Sequence, residues 1–327
     1  FGMMPPQVRL TPQEKYEVIH FIREEYMKEL NPDQYFEITE EWLEGLPKGD
    51  TIGPAPQPYQ PWAEMDYGDF LINTYELANT GDPERGISGG RSPLPNEDFR
   101  DVNFAYKGIA IRLDKGEGGV AKGNAFVLFD HDLLRMTGFW TGEGFMDYEG
   151  ILLNDRHNIF PRTVGQIQVE NPITPGWANP EDGTFKDPRF VAVDGRPFGP
   201  LPRAWAHYKG LYYHDQQVVV KYTVGETAVL EGYELASDTD APVLRRILNI
   251  EASPNALSMR VAPSAAAIGI EGVAKIKSAN GYHILDIPAN TATQVNILLS
   301  QEQAAIDKVL TQEKKAVDLT AFTKGGG

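Results

Sequence analysis

Ten short apolar runs, separated by turn residues and by no segment of helical period, occupy the chain from Ala105 to Leu299 and limit what it can fold into. They are Ala105–Leu113, Ala125–Phe129, Leu133–Trp140, Val164–Val169, Val218–Val224, Ala228–Leu235, Leu244–Ile250, Leu257–Val261, Tyr282–Ile287 and Thr293–Leu299. Each has strand length and is rich in β-branched or aromatic residues. Val218, Val220, Tyr222 and Val224 fall on one face of their run, with Lys221 and Thr223 on the other. That alternation suits an antiparallel sheet with one buried face. Successive strands without crossover helices predict a mainly β fold: a large antiparallel β-sandwich with long ordered loops. No internal repeat suggests a propeller or solenoid.

The N-terminal part follows a different pattern. Thr11-Pro12-Gln13-Glu14 reads as a capped helix start, with Thr11 at the N-cap, Pro12 at N1 and Glu14 closing a capping box. Tyr16, Ile19, Ile22, Tyr26 and Leu30 then recur at helical spacing, Val18 widens the apolar face, and Asn31-Pro32 stops the helix. A second short helix is expected over 39–46. The resulting organisation is a helical segment (1–44), a Pro/Gly-rich linker (45–62), a β-sandwich (63–300) and a C-terminal helix with a linker toward a downstream module (301–327). Pro and Gly punctuate Pro172–Pro202, but Trp177, Phe185, Phe190 and Phe198 in the same stretch predict an ordered loop packed on the sandwich.

Charge and composition exclude several functions. Forty-six acidic against thirty basic residues give a net charge of -16, the wrong balance for binding a phosphate backbone, so no nucleic-acid partner is expected. No apolar run approaches the ~20 residues that span a bilayer. There is no cysteine, hence no disulfide, no Cys-zinc site and no thiol nucleophile. Gly116-Glu117-Gly118-Gly119 joins two strands and precedes no helix, so it does not read as a nucleotide loop.

Several constellations could carry chemistry. His131 lies between Asp130 and Asp132 at a predicted hairpin, where it reads either as an Asp–His general base or as turn chemistry. His157 and His207 are further candidate bases, beside Arg156 and Lys209 respectively. Trp140, Trp177, Trp205 and Tyr208 could form an aromatic platform for a carbohydrate, or serve as cross-strand packing. Glu226 and Glu231 share a strand, and paired carboxylates are what glycoside hydrolysis needs. Asn179, Glu181, Asp182 and Asp187 supply hard oxygen donors of the kind calcium accepts, without EF-hand spacing. Arg245-Arg246 predicts one inward, ion-paired residue and one exposed residue. Met3 and Met4 sit in a Pro-stiffened loop before the capped helix, and a thioether is a soft ligand for haem iron.

The stretch FGMMPPQVRLTPQEKYEVIHFIREEY (1–26) resembles the last part of a class I cytochrome c domain. MDYG at 65–68, NFAYKGIAIRLD at 103–114, FDHDLLR at 129–135, WTGEGF at 140–145, RH at 156–157, GPLPRAWAHYKGLY at 199–212 and YTVG at 222–225 resemble landmarks of another domain. This is an uncharacterised domain that follows such cytochromes in large secreted bacterial proteins and precedes a propeller resembling sugar dehydrogenases. The resemblance implies that Met3 or Met4 is the axial ligand of a haem c. The haem-attaching cysteines and proximal His would lie in a segment absent from this chain. It implies a periplasmic or extracellular location, an upstream cytochrome c segment and a downstream propeller-like module as partners, and a parent protein that is a dehydrogenase. The expected role is an accessory or scaffolding domain in electron transfer linked to carbohydrate oxidation, not catalytic on its own. A carbohydrate-binding module and a carbohydrate-active enzyme with a His/carboxylate site are the alternatives.

Overall fold

The structure, a computed structural model, describes residues 11–45, 65–77, 103–142, 144–147, 161–193, 195–237, 241–272, 274–312 and 317–324. The chain divides into two compact units, Phe1–Gln60 and Pro61–Gly327.

The first unit contains the expected helix. Thr11 and Glu14 form the reciprocal capping box, with Glu14 N donating to Thr11 Oγ1 at 3.2 Å and Thr11 N donating to Glu14 Oε2 at 2.7 Å. The α-helix Pro12–Ile22 passes into a π-helical turn, Arg23–Met27, and one more α turn, Lys28–Leu30. Arg23 stacks on the Phe36 ring, 4.5 Å from its centroid, and Tyr35 donates to Glu24, which folds the following segment back on the helix. A short helix, Glu40–Glu44, follows from Thr39, whose hydroxyl accepts the Trp42 amide.

The second unit is the β-sandwich. Its first sheet holds β1 (Phe70–Leu77), β2 (Asn103–Arg112), β3 (Ala125–Asp130), β4 (Arg135–Thr141), β5 (Met146–Asp147), β6 (Arg162–Thr163) and β7 (Gln166–Glu170), in the order β5-β6-β1-β2-β3-β4-β7. A two-stranded hairpin follows, β8 (Phe190–Val191) and β9 (Pro197–Phe198). The remaining strands are β10 (Ala206–His214), β11 (Gln217–Val224), β12 (Thr227–Ser237), β13 (Val243–Ile250), β14 (Leu257–Pro263), β15 (Ala267–Glu271), β16 (Lys275–Ala279), β17 (Tyr282–Ile287) and β18 (Thr293–Ser300). They form a six-stranded sheet ordered β10-β11-β12-β13-β18-β15 and a three-stranded sheet ordered β14-β17-β16. Every pairing is antiparallel except β1 with β6. The expected mainly β, antiparallel architecture is what forms. Strands β1, β5, β6, β8, β9, β10, β15 and β16 are additions to the ten runs read from sequence.

One core cluster takes Ile109, Val127, Phe129 and Met136 from the first sheet and Val218, Val220, Tyr222 and Leu248 from the six-stranded sheet, so the two pack face to face. Burial of aliphatic and aromatic side chains at ~1.5–3 kcal/mol each is the main favourable term. The β11 pattern is not one-sided, however. Val219, on the opposite face, is buried with Ile247 under Leu319 of the C-terminal 3₁₀ turn Leu319–Thr323. The C-terminal helix Gln303–Leu310 covers Val243 and Leu298 on that same outer face with Ala305, Ile306 and Val309. This segment reads as mainly polar in sequence, but Ala305, Ile306 and Val309 share an inward face, while Ala304 and Leu310 stay exposed. The described part of 301–327 is thus built into the sandwich unit.

A charged pair sits inside this core. Arg246 and Glu231 are both fully buried, with Nε donating to Oε1 at 2.7 Å. Tyr222 donates to the other carboxylate oxygen at 2.6 Å, and Tyr233 also donates to Glu231. Burial opposes charge on Arg246, but the adjacent Glu231 carboxylate outweighs it and holds the guanidinium above its ordinary pKa. Against the expectation of one inward and one exposed residue, neither member of the pair is exposed: Arg245 is buried on the outer face, where Glu271 accepts two bonds from it at 2.9 and 3.0 Å and Glu234 one at 3.2 Å. The outer face is covered, so neither arginine reaches water.

Replacing one buried partner leaves the other charge desolvated and unpaired. Glu231→Gln is expected to lower stability by about 3–5 kcal/mol, read as the urea unfolding midpoint. The double variant Glu231→Leu/Arg246→Met buries neither charge and should lie closer to wild type than Glu231→Gln does.

Candidate functional site

The β3–β4 hairpin brings several sequence candidates together. Its turn is His131–Leu134, and Leu134 takes the left-handed conformation, φ 48°. The strand therefore starts at Arg135, two residues later than the apolar run suggests. Asp130 is committed to structure: it accepts the Asp132 amide at 3.0 Å and Arg135 Nε at 3.2 Å. Arg135 is itself buried, and donates to the carbonyls of Phe104, Asn171 and Pro172 and to the Asn103 side chain. The turn is thereby fixed to β2 and to the loop after β7.

On this platform His131 packs against Tyr208 of β10, with ring centroids 4.6 Å apart. Its Nδ1 lies 3.6 Å from Asp132 Oδ1, and Lys107 Nζ lies 3.4 Å from the same oxygen. Asp132 is buried, and its main-chain carbonyl accepts the Leu201 amide. Burial pushes His131 below its ordinary pKa, against the opposing pull of Asp132 and Asp130. The result is a neutral imidazole at pH 7, with a phenol on one side and a carboxylate shared with Lys107 on the other. This arrangement can accept a proton. At 3.6 Å the ring is not hydrogen-bonded to Asp132, a bond it would need in order to be oriented as a base.

The other proposed bases do not join it. His207 precedes Tyr208 on β10, so its side chain leaves the opposite face. Its Nδ1 is 2.8 Å from Lys209 Nζ, and desolvation together with the charges of Lys209 and Arg203 depresses its pKa. His157 lies outside the described residues, as do Asp155 and Arg156. Glu226 sits on the exposed β11–β12 turn, while Glu231 is consumed by Arg246 and two phenols in the core.

The tryptophans do not form an exposed platform. Trp140 is fully buried on the face of the first sheet that points away from the six-stranded sheet, stacked on Phe126 at 5.2 Å. Trp177 is fully buried between the sheets and its indole N–H donates to Tyr222 at 3.2 Å. Trp205 Nε1 donates to the Trp177 carbonyl at 3.1 Å. All three serve as packing, and the Trp205–Trp177–Tyr222–Glu231 series fastens the Pro172–Pro202 loop to the core.

The loop does build a cleft of about 430 Å³. Asn179, Glu181, Asp182, Thr184 and Lys186 line one wall, and Pro188, Pro202, Ala204 and the rim of Trp205 the rest. Asn179 and Asp182 accept the amides of Glu181 and Thr184 in tight local turns. Asp187 is taken by Arg189 at 2.8 Å. The oxygen donors proposed for calcium are thus largely engaged by their own loop. Among the described residues no group of three or more His, Cys, Asp or Glu is placed to hold a metal ion. Met3 and Met4 lie outside the described residues, and the chain has no cysteine, so its described residues do not fit a haem c site on their own. Sequence signals name Asn179, Glu181, Asp182 and Trp205 singly, but not their convergence on this cleft, because its two walls are some twenty residues apart and meet only through the loop.

The depressed His131 pKa carries a sign. The folded state holds this group neutral more strongly than the unfolded chain does, so its contribution to stability is present above about pH 6.5 and is lost as pH falls toward the lowered folded value. Unfolding midpoints measured across pH 7.5 to 5 should decline for wild type. They should decline less for His131→Gln, which cannot protonate.

A family model for a domain of unknown function, DUF6797, matches residues 127–231, from β3 to β12. No curated protein and no solved structure matches the chain. Of the candidates above, His131, Asp132, Trp140, His157, Trp177, Trp205, His207 and Tyr208 all lie within the stretch that matches this domain of unknown function.

Proposed function

We propose that the chain is an accessory, scaffolding section of an extracytoplasmic haem c electron-transfer protein linked to carbohydrate oxidation. In this reading the β-sandwich holds a haem domain against a neighbouring propeller-like catalytic module. The observation that carries it is the uncovered apolar face of the N-terminal helix. Tyr16 is 74% and Leu30 78% exposed, and Val18, Ile19, Phe21, Ile22 and Tyr26 are exposed with them. A helix with a wide apolar stripe must bury it against another element, and the rest of a cytochrome c fold would supply that element. Haem, when bound by such a fold, supplies one-electron transfer. This chain's part is to offer Met3 or Met4 as the axial thioether and the capped helix as a wall. The sandwich fits a positional role because its buried charges tie strands together.

The test is an optical spectrum of the undegraded, full-length polypeptide. A c-type haem spectrum is expected. Only one of Met3→Ala and Met4→Ala should abolish thioether ligation and lower the midpoint potential. A full-length preparation without haem refutes the reading.

The cleft beside Trp205 supports a second reading, a carbohydrate-binding module. Its size lies in the range of small-ligand sites. Glu181, Thr184 and Lys186 offer acceptors and donors next to the apolar surface of two prolines, which suits a sugar's mixed faces. Trp205→Ala is a poor probe here, because truncating a buried Trp costs about 3–5 kcal/mol. Glu181→Ala and Thr184→Val, both on exposed residues, should weaken glycan binding in calorimetry while leaving the unfolding midpoint unchanged. Binding unaffected by both would place the sugar elsewhere.

A further inference from the structure

Asn280-Gly281 is the one Asn-Gly pair in the sequence, and it makes the two-residue turn between β16 and β17. Ala279 and Tyr282 are the closing register pair. Both central residues take positive φ, 53° for Asn280 and 80° for Gly281, as a type I′ hairpin requires. Asn and Gly are the residues that enter this region most readily. The same pair carries a chemical consequence.

The reacting atoms are open. Both residues are exposed, and a Cβ on Gly281 would meet nothing within 4 Å. Among the described residues the Asn280 carboxamide has no hydrogen-bond partner, and the Gly281 amide nitrogen donates to no main-chain carbonyl. Without a Cβ on residue 281, nothing shields that nitrogen from the neighbouring carboxamide. The hairpin is also weakly held. β16 is the edge of its three-stranded sheet, and Lys275, Lys277 and Ser278 on it are exposed. Such an element opens locally at small cost, which lets the Asn280 backbone rotate until its Cγ meets the nitrogen. Asn290 makes the contrast. It too is exposed and left-handed, at φ 58°, but Thr291 follows it, and a branched side chain crowds the attacking amide and stiffens the chain.

We propose that Asn280 is a site of spontaneous covalent modification, deamidation through a cyclic imide. The Gly281 nitrogen loses its proton to solvent base and attacks the Asn280 Cγ. The N–Cγ bond forms, the Cγ–Nδ2 bond breaks, and the amide group takes up a proton and leaves as ammonia. Water then opens the imide. Opening at Cγ leaves an aspartyl residue. Opening at the main-chain carbonyl leaves isoaspartate, in which the chain runs on through Cγ and is one methylene longer. Nothing is oxidised or reduced. A two-residue turn cannot absorb the added methylene. The isoaspartyl form therefore loses the Ala279–Tyr282 closing pair and the 2.8 Å bond from the Ser264 amide to the Gly281 carbonyl. With them goes the seat of Tyr282, whose ring centroid lies 4.8 Å from the Arg260 guanidinium. This inference is independent of the haem and carbohydrate readings.

Mass-spectrometric peptide mapping of the full chain, aged at mildly alkaline pH and physiological temperature in heavy-oxygen water, tests it. The peptide holding Asn280 is expected to gain the mass of an amide-to-acid exchange that incorporates the label. Its rate should exceed that of the Asn290 peptide by at least about ten-fold, a barrier difference of about 1.4 kcal/mol. Part of the product should accept a methyl group from an isoaspartate carboxyl methyltransferase, and Asn280→Gln should remove both signals. The isoaspartyl form, separated by ion exchange, should unfold at lower urea than Asn280→Asp, which has the same charge without the methylene. The proposal is overturned by an Asn280 that stays intact in the folded chain; if the urea-unfolded chain converts it, the hairpin acts as a shield. Equal rates at Asn280 and Asn290, or a product free of isoaspartate, overturn it as well.

Discussion

The sandwich depends on a carboxylate buried where the two sheets meet. Glu231 accepts from Arg246, Tyr222 and Tyr233 at once, and Tyr222 in turn accepts from Trp177. A carboxylate in an apolar interior survives only if its lone pairs are filled, and here three strands and one loop must be in register to fill them. Tyr222 and Tyr233 lie on neighbouring strands, Arg246 on the next, and Trp177 on the long loop. Burial first, and then the Glu231 charge, push both phenols well above their ordinary pKa, which keeps them protonated as donors. The cluster thereby fixes register in β11, β12 and β13 and the position of the loop in one stroke.

The same economy recurs at the edges. Arg112 Nη1 is ringed by the carbonyls of Gly116, Glu117 and Gly119, so the Gly-rich loop closes round a cation of its own chain, the reverse of a phosphate cradle. Gly119 has to be glycine: a Cβ there would meet Asp66 Oδ1 and the Gly68 carbonyl at 2.4 Å. At that end of the sandwich Tyr213 of β10 donates to Asp69 just before β1 at 2.5 Å, which raises the phenol pKa to about 12. Lys115 donates to the Asp215 carbonyl and Gln216 to that of Gly116, which joins the Gly-rich loop to the β10–β11 turn. These residue types often signal chemistry, yet here each is held by a partner within the fold. At the surface, the described residues leave open the cleft of the long loop, the β8–β9 tip and the apolar stripe of the N-terminal helix.

His131 shows how far sequence could go toward a site. Its neighbours Asp130 and Asp132 are visible in sequence, and of the two readings of the motif the turn is the one that forms: the residues reverse the hairpin, and the imidazole lies partly buried beside a carboxylate. Tyr208 and Lys107 could not be placed beside it from sequence, because they are separated from it by 77 and 24 positions: Lys107 arrives through the pairing of β2 with β3, and Tyr208 through the packing of one sheet on the other. The tryptophans mislead for a complementary reason. An indole that stacks on a sugar and one that fills a core look alike in sequence, and only burial separates them.

The sequence by itself determined the local conformations: the Thr11–Glu14 cap, the strand runs and the mainly β, antiparallel class. These follow from backbone propensity and from periods of 2 and 3.6, which neighbouring residues encode. Tertiary structure alone decided which face of each strand is covered. It put Leu319 over Val219, turned Arg245 toward Glu271 and enclosed Trp140, because burial depends on what arrives from distant parts of the chain, and no short window of residues carries that information.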